Sequence, residues 1–180
     1  MNWRKWLAVL SVSAAVFLSA CGETATAENY FDQAVLNTNQ INSSASRYFN
    51  RVEQHRQNGQ LKVYDEQNKQ MVPTDSVEAY VKQNNTYFKQ NVDKVEKLPE
   101  TDETRAMLQQ SLAVFRGAYD VYEQDYLDIA RKIDAGAPKA EIDAAIQAAD
   151  AKLQAVGEER SKLIELAKPY AEKHKINVKW

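Results

Sequence analysis

Apolar residues recur along this chain at alternating spacings of three and four, the period of a helix that buries one stripe. The clearest run is Leu108, Leu112, Phe115, Tyr119, Tyr122, Tyr126, Ile129 and Ile133, closed by Gly136 and Pro138. Another helix follows through Ile142, Ile146, Ala149, Leu153, Val156, Arg160, Leu163, Ala167 and Tyr170, with Pro169 bending or ending it. Upstream, Pro73 and then Asp75 with Glu78 three residues on have the spacing of an N-cap and its capping-box partner. The helix they announce puts Val77, Val81, Phe88, Val92 and Val95 on one face, flanked by Tyr80 and Tyr87, and ends at Leu98-Pro99. A first helix is expected from Glu28 to Gln57, along Phe31, Ala34, Thr38, Ile41, Ala45, Tyr48 and Val52. It is the weakest, because "NTNQINSSAS" is rich in poor helix formers, and Gly59 stops it.

Four helices joined mostly by short connections predict an all-α fold, an elongated antiparallel four-helix bundle over residues 28–180. An extended array of helical hairpins or a coiled-coil dimer is the alternative packing. An even number of antiparallel helices returns the carboxyl terminus to the end where the chain began. The longest break, residues 59–75, then lies at the other end. Leu61 and Val63 alternate with polar neighbours there, and Met71 and Val72 follow a polar turn, which reads as a small hairpin or a lid. Leu61, Val63, Tyr64 and Met71 are candidate partner contacts, against the reading that the segment only caps the bundle.

The amino terminus has a different pattern. Arg4 and Lys5 precede an apolar run from Trp6 to Leu18, which as a helix would reach only about 20 Å, short of a bilayer core of about 30 Å. The run reads as the core of a secretory leader. Leu18-Ser19-Ala20-Cys21 resembles the lipobox of bacterial lipoproteins, in which cleavage precedes a cysteine that carries a diacylglycerol on its sulfur. The resemblance covers about the first 22 residues. It implies a signal peptide at 1–20, a lipidated Cys21 with a short tether through residue 27, and the helical domain from residue 28. An ordinary secretory signal, leaving Cys21 as a free thiol, is the alternative. Gly22 and Glu23 follow the cysteine, without the Asp often found in lipoproteins held at an inner membrane, so the resemblance implies the outer membrane of a bacterial envelope, periplasmic or surface side open.

Composition narrows the remaining choices. The chain has 180 residues, 27% charged and 9% aromatic, and a formal charge of −2, which offers no electrostatic footprint for nucleic acid. Cys21 is the only cysteine, which excludes an internal disulfide, and no zinc motif is present. The tail "KPYAEKHKINVKW" is locally basic. Lys175, Lys179 and Trp180 are a candidate contact with a phospholipid surface, close to the anchor; the other reading has Ile176, Val178 and Trp180 covering the bundle end.

No catalytic motif is recognisable, and no cofactor is expected beyond the covalent lipid. The acids Asp120, Glu123, Asp125 and Asp128 fall off the apolar seam and read as a solvated face. Tyr119, Tyr122 and Tyr126 share a stripe, and buried phenols want hydrogen-bond partners. Thr38, Asn84, Asn91 and Arg160 lie on or beside the seams and are candidates for that role. The functional expectation is a lipid-anchored envelope protein whose helical domain acts as a non-catalytic interaction or structural module, with the membrane and an envelope protein as partners. The competing expectation is a small-ligand pocket in the core lined by Tyr119, Tyr122 and Tyr126.

Overall fold

A computed structural model describes residues 19–180, with side chains from residue 26 onward. The leader assigned to residues 1–20 falls almost wholly outside that range, and so does the Cys21 side chain. The described chain is mainly helical, with one two-stranded antiparallel hairpin.

Where one helix was expected at Glu28–Gln57 there are two. Helix α1 spans Ser19–Ala34, a 3-10 turn covers Leu36–Gln40, and α2 spans Ala45–Gln57. The break falls on the Asn, Thr and Ser run, whose side chains compete for backbone groups. Thr38 Oγ1 donates to the Val35 carbonyl at 2.6 Å, and Ser44 Oγ accepts the Arg47 amide at 3.3 Å as the N-cap of α2. The seam survives the break, since Phe31, Ala34, Thr38, Ala45 and Val52 are all buried.

Strand β1, Lys62–Asp65, pairs with β2, Gln70–Pro73, with Tyr64 opposite Met71. The Asp65 carboxylate accepts the Gln67 and Asn68 amides and closes the turn. Helix α3, Val77–Glu96, starts differently from the expected Asp75–Glu78 box. Ser76 is the N-cap, accepting the Ala79 amide at 3.1 Å. Asp134, from a distant part of the chain, accepts the Val77 and Glu78 amides at 2.8 and 3.0 Å. A carboxylate there satisfies free donors and complements the helix dipole.

Helix α4, Arg105–Val121, continues through a π turn at Tyr122–Tyr126 into α5, Leu127–Asp134, so the clearest run of the sequence is one rod with a widened turn inside it. Helix α6, Lys139–Lys173, passes through Pro169 without ending.

Cross-links fix the directions. Glu96 meets Arg116 and Glu78 meets Arg131, so α3 runs antiparallel to the α4–α5 rod. Lys173 meets Glu103, Gln110 meets Glu159 and Lys152 meets Asp125, so α6 is antiparallel to the same rod. Residues 30–46 run antiparallel along α6, through Tyr30 against Tyr170, Thr38 against Arg160 and Ala45 against Asp150. The carboxyl terminus therefore lies by α1, where the Trp180 ring meets Phe31 edge-on with centroids 6.0 Å apart. Among the described residues no helix is long and apolar enough to cross a membrane.

Candidate ligand pocket beside a π turn

Two interruptions of regular helix face each other across the core, and a pocket of about 190 Å³ lies between them. Gln40 and Asn42 come from the broken segment and Tyr48 from α2. Helix α3 contributes Asn84, Asn85, Tyr87, Phe88 and Asn91, and the π turn contributes Tyr122 and Tyr126. A π turn carries one residue more than the α-helix it interrupts, which turns side chains away from the register of the flanking helix. Such turns recur at functional sites.

Each amide has an assigned task. Asn85, 3% exposed, donates Nδ2 to the Tyr122 carbonyl at 2.7 Å, supplying a buried partner at the widened turn. Asn84 Nδ2 donates to the Tyr48 hydroxyl at 3.1 Å, and Asn91 Nδ2 donates to Gln40 Oε1 at 3.0 Å. The backbone amide of Asn42 donates to the Tyr122 hydroxyl at 2.7 Å, which ties the broken segment to the π turn.

The rings form a continuous aromatic wall. Tyr126 lies 4.8 Å from both Tyr48 and Tyr122, centroid to centroid, and Phe88 meets Tyr122 at 4.9 Å with its edge. Tyr126 is 1% exposed, and its hydroxyl has no hydrogen-bond partner among the described residues. A buried hydroxyl left unpaired costs about 1–3 kcal/mol.

Electrostatically the pocket is neutral. Burial pushes the Tyr48 phenol up to about 12, with the Asn84 bond offsetting part of it, and pushes Tyr122 up to about 12 against the hydrogen bonds from Asn42. Tyr126 is raised further, by burial and then by the Tyr122 and Tyr48 phenols and the Asp150 charge. All three are therefore protonated at neutral pH. None of the ten lining side chains is an acid or base that is charged there, so the walls offer aromatic and amide contacts only.

Of the three stripe tyrosines, the structure brings Tyr122 and Tyr126 into one site and leaves Tyr119 out. Tyr119 lines a separate cleft with Lys82, Lys89, Asp93 and Glu123, on the other side of α3 from the pocket amides. Asn84 is a partner for a phenol, as its place beside the seam suggested, whereas Thr38 and Arg160 bond to each other and Asn91 bonds to Gln40. Asn85, which the sequence reading missed, had a legible signal, because it fills the seam position between Val81 and Phe88. Gln40 and Asn42 had none, since their role depends on where the chain breaks.

The other candidates lie elsewhere. Leu61 is fully buried in the core, Val63 is half-buried, and Tyr64 and Met71 are exposed on the hairpin. Lys175, Lys179 and Trp180 are exposed, and Ile176 and Val178 pack on the core beneath them. Of the acids, Asp125 pairs with Lys152 and Asp128 with Lys132. Among the described residues no three His, Cys, Asp or Glu side chains are grouped to hold a metal. Comparison with family models, with curated proteins and with solved structures found no match to the chain.

Proposed function

We propose that this is a lipid-anchored bacterial envelope protein, most simply of the outer membrane, whose elongated antiparallel four-helix bundle binds an uncharged small molecule. The anchor reading rests on the lipobox-like Leu18-Ser19-Ala20-Cys21. The bundle reading rests on the antiparallel pairings, with the broken α1–α2 stretch counted as one layer beside α3, the α4–α5 rod and α6. The observation that carries the binding reading is the neutral aromatic and amide pocket at the π turn, with the unpaired Tyr126 hydroxyl in its wall. The test is mass spectrometry of small molecules released when the protein is extracted from the cells that make it and then denatured. One compound present in proportion to the native protein, and lost when the pocket is filled by Asn84→Trp, is the expected result. Identical extracts from the two proteins would sink the reading. For the anchor, Cys21→Ala is expected to move the protein from membrane to soluble fractions.

A second reading, docking of an envelope protein, is favoured by Tyr64, Met71 and Tyr87, three large side chains 40% to 52% exposed on the hairpin and adjoining α3. At the opposite end, Lys175, Lys179 and Trp180 would meet the lipid surface. Trp180 would be the lone tryptophan of the processed chain, so its fluorescence on anionic vesicles reports that contact.

A further inference from the structure

We infer that the occupant of the pocket is an uncharged, flat, single-ring nitrogen heterocycle whose edge carries both N–H groups and acceptor atoms. This rests on the binding reading above and gives it a ligand class. The charge condition comes from the walls. All the lining side chains are neutral, whereas the clefts beside Tyr119, Ile142 and Tyr64 each carry Lys, Arg, Asp or Glu. A charged ligand would leave water without gaining a counter-charge.

Size and shape come next. A cavity of about 150 Å³ holds benzene, so about 190 Å³ takes one ring with a few exocyclic atoms. The Tyr48, Tyr122 and Tyr126 rings offer it an apolar face to lie on. The edge condition comes from the amides. Asn84, Asn85 and Asn91 have committed Nδ2 donors to Tyr48, the Tyr122 carbonyl and Gln40. Each Nδ2 uses one of its two hydrogens there, and the carbonyl oxygens accept nothing from the described residues, so the pocket presents both acceptors and donors and selects an edge that carries both. The Tyr126 hydroxyl, without a partner among the described residues, is one more polar group for that edge to satisfy.

The experiment titrates the full chain with cytosine, benzoate, benzylamine and glucose, by calorimetry and by side-chain amide NMR. Cytosine is expected to bind with Kd on the order of 0.1 mM, shift the Asn84 and Asn91 amide resonances, and bind tenfold or more tighter than the others. Tyr126→Phe removes no hydrogen bond from the protein, so it is expected to raise the melting temperature while weakening cytosine about tenfold. Asn91→Ala is expected to weaken it severalfold. Glucose or benzoate binding in place of cytosine, with the same amide shifts, overturns the ligand class and leaves the pocket reading standing. Cytosine binding unaffected by either variant places the contact elsewhere and overturns the class. Silence from every probe, with Tyr126→Phe melting unchanged, overturns both.

Discussion

Residues 28–57 and 105–134 carry apolar seams of the same three-and-four spacing, yet the first breaks into α1, a 3-10 turn and α2, while the second stays one rod. The seam residues of both reach the core. The difference lies between them, where the first has "NTNQINSSAS" and the second has Ala, Arg, Val and other good or neutral helix formers around its tyrosines. A hydrophobic period thus decides which side of the chain is buried, while the residues off the seam decide whether the backbone stays helical. Both stretches also depart from ideal helix where they meet at the pocket, and each departure is held by a polar group from another helix. Asp150 of α6 caps α2, and Asn85 of α3 serves the π turn.

The largest expected effect in breaking this comparison is at Asp150. Its carboxylate accepts the Ala45 amide at 2.6 Å and also the Ser46 amide and hydroxyl. Asp150→Ala leaves those donors at a half-buried helix start and is expected to destabilise by about 2–3 kcal/mol in urea unfolding. Amide exchange should rise in α2 and not in α4, and equal exchange in both would show that the two stretches are not separately held. Burial raises the Asp150 carboxyl, but hydrogen bonds from Ser46 and the Ala45 amide outweigh it and hold it below the ordinary aspartate value. The stabilisation is therefore present above about pH 3.9, the unfolded value, and is lost as pH falls through the lower folded one. Asp150→Asn should flatten that acid limb.

The matching change in the second stretch is Asn85→Ala, which leaves the Tyr122 carbonyl without its side-chain donor. A loss of about 2 kcal/mol is expected, and an unchanged midpoint in the same urea titration would show that the π turn needs no outside support. At alkaline pH Tyr48, Tyr122 and Tyr126 act together. Their folded values are raised, so the stability they confer is complete below about pH 10 and is lost as pH rises toward 12. Tyrosinate absorbance should then rise together with loss of helix rather than before it. The smallest effect is at Ser44, whose hydroxyl accepts the Arg47 amide at 3.3 Å beside the stronger Asp150 cap. Ser44→Ala is expected to cost about 0.5 kcal/mol, and a loss as large as that of Asp150→Ala would reverse the ranking of the two caps.

Much of the helical seam was legible because burial follows a period that amino acids display directly. Val77, Val81, Phe88, Val92 and Val95 are buried as expected, and so are Phe115, Tyr122, Tyr126 and Ile129. Misassigned features depended on partners far along the chain. The start of α3 was read from the local Asp75 and Glu78, but the carboxylate that caps it is Asp134, 57 residues from Val77. Tyr119 was grouped with Tyr122 and Tyr126 by spacing alone, but it lines a different cleft, with Lys82, Lys89, Asp93 and Glu123.

By itself the sequence determined the helical class, the buried stripe of each helix and the hairpin position, because each follows from local propensity and period. Only the tertiary structure decided which polar residues share a pocket. Gln40, Tyr48, Asn85, Tyr122 and Tyr126 lie on separate elements, and what gathers them is the breaking of one rod opposite the widening of another. Neither event is set by period; each is stabilised by hydrogen bonds that exist only once the helices have packed.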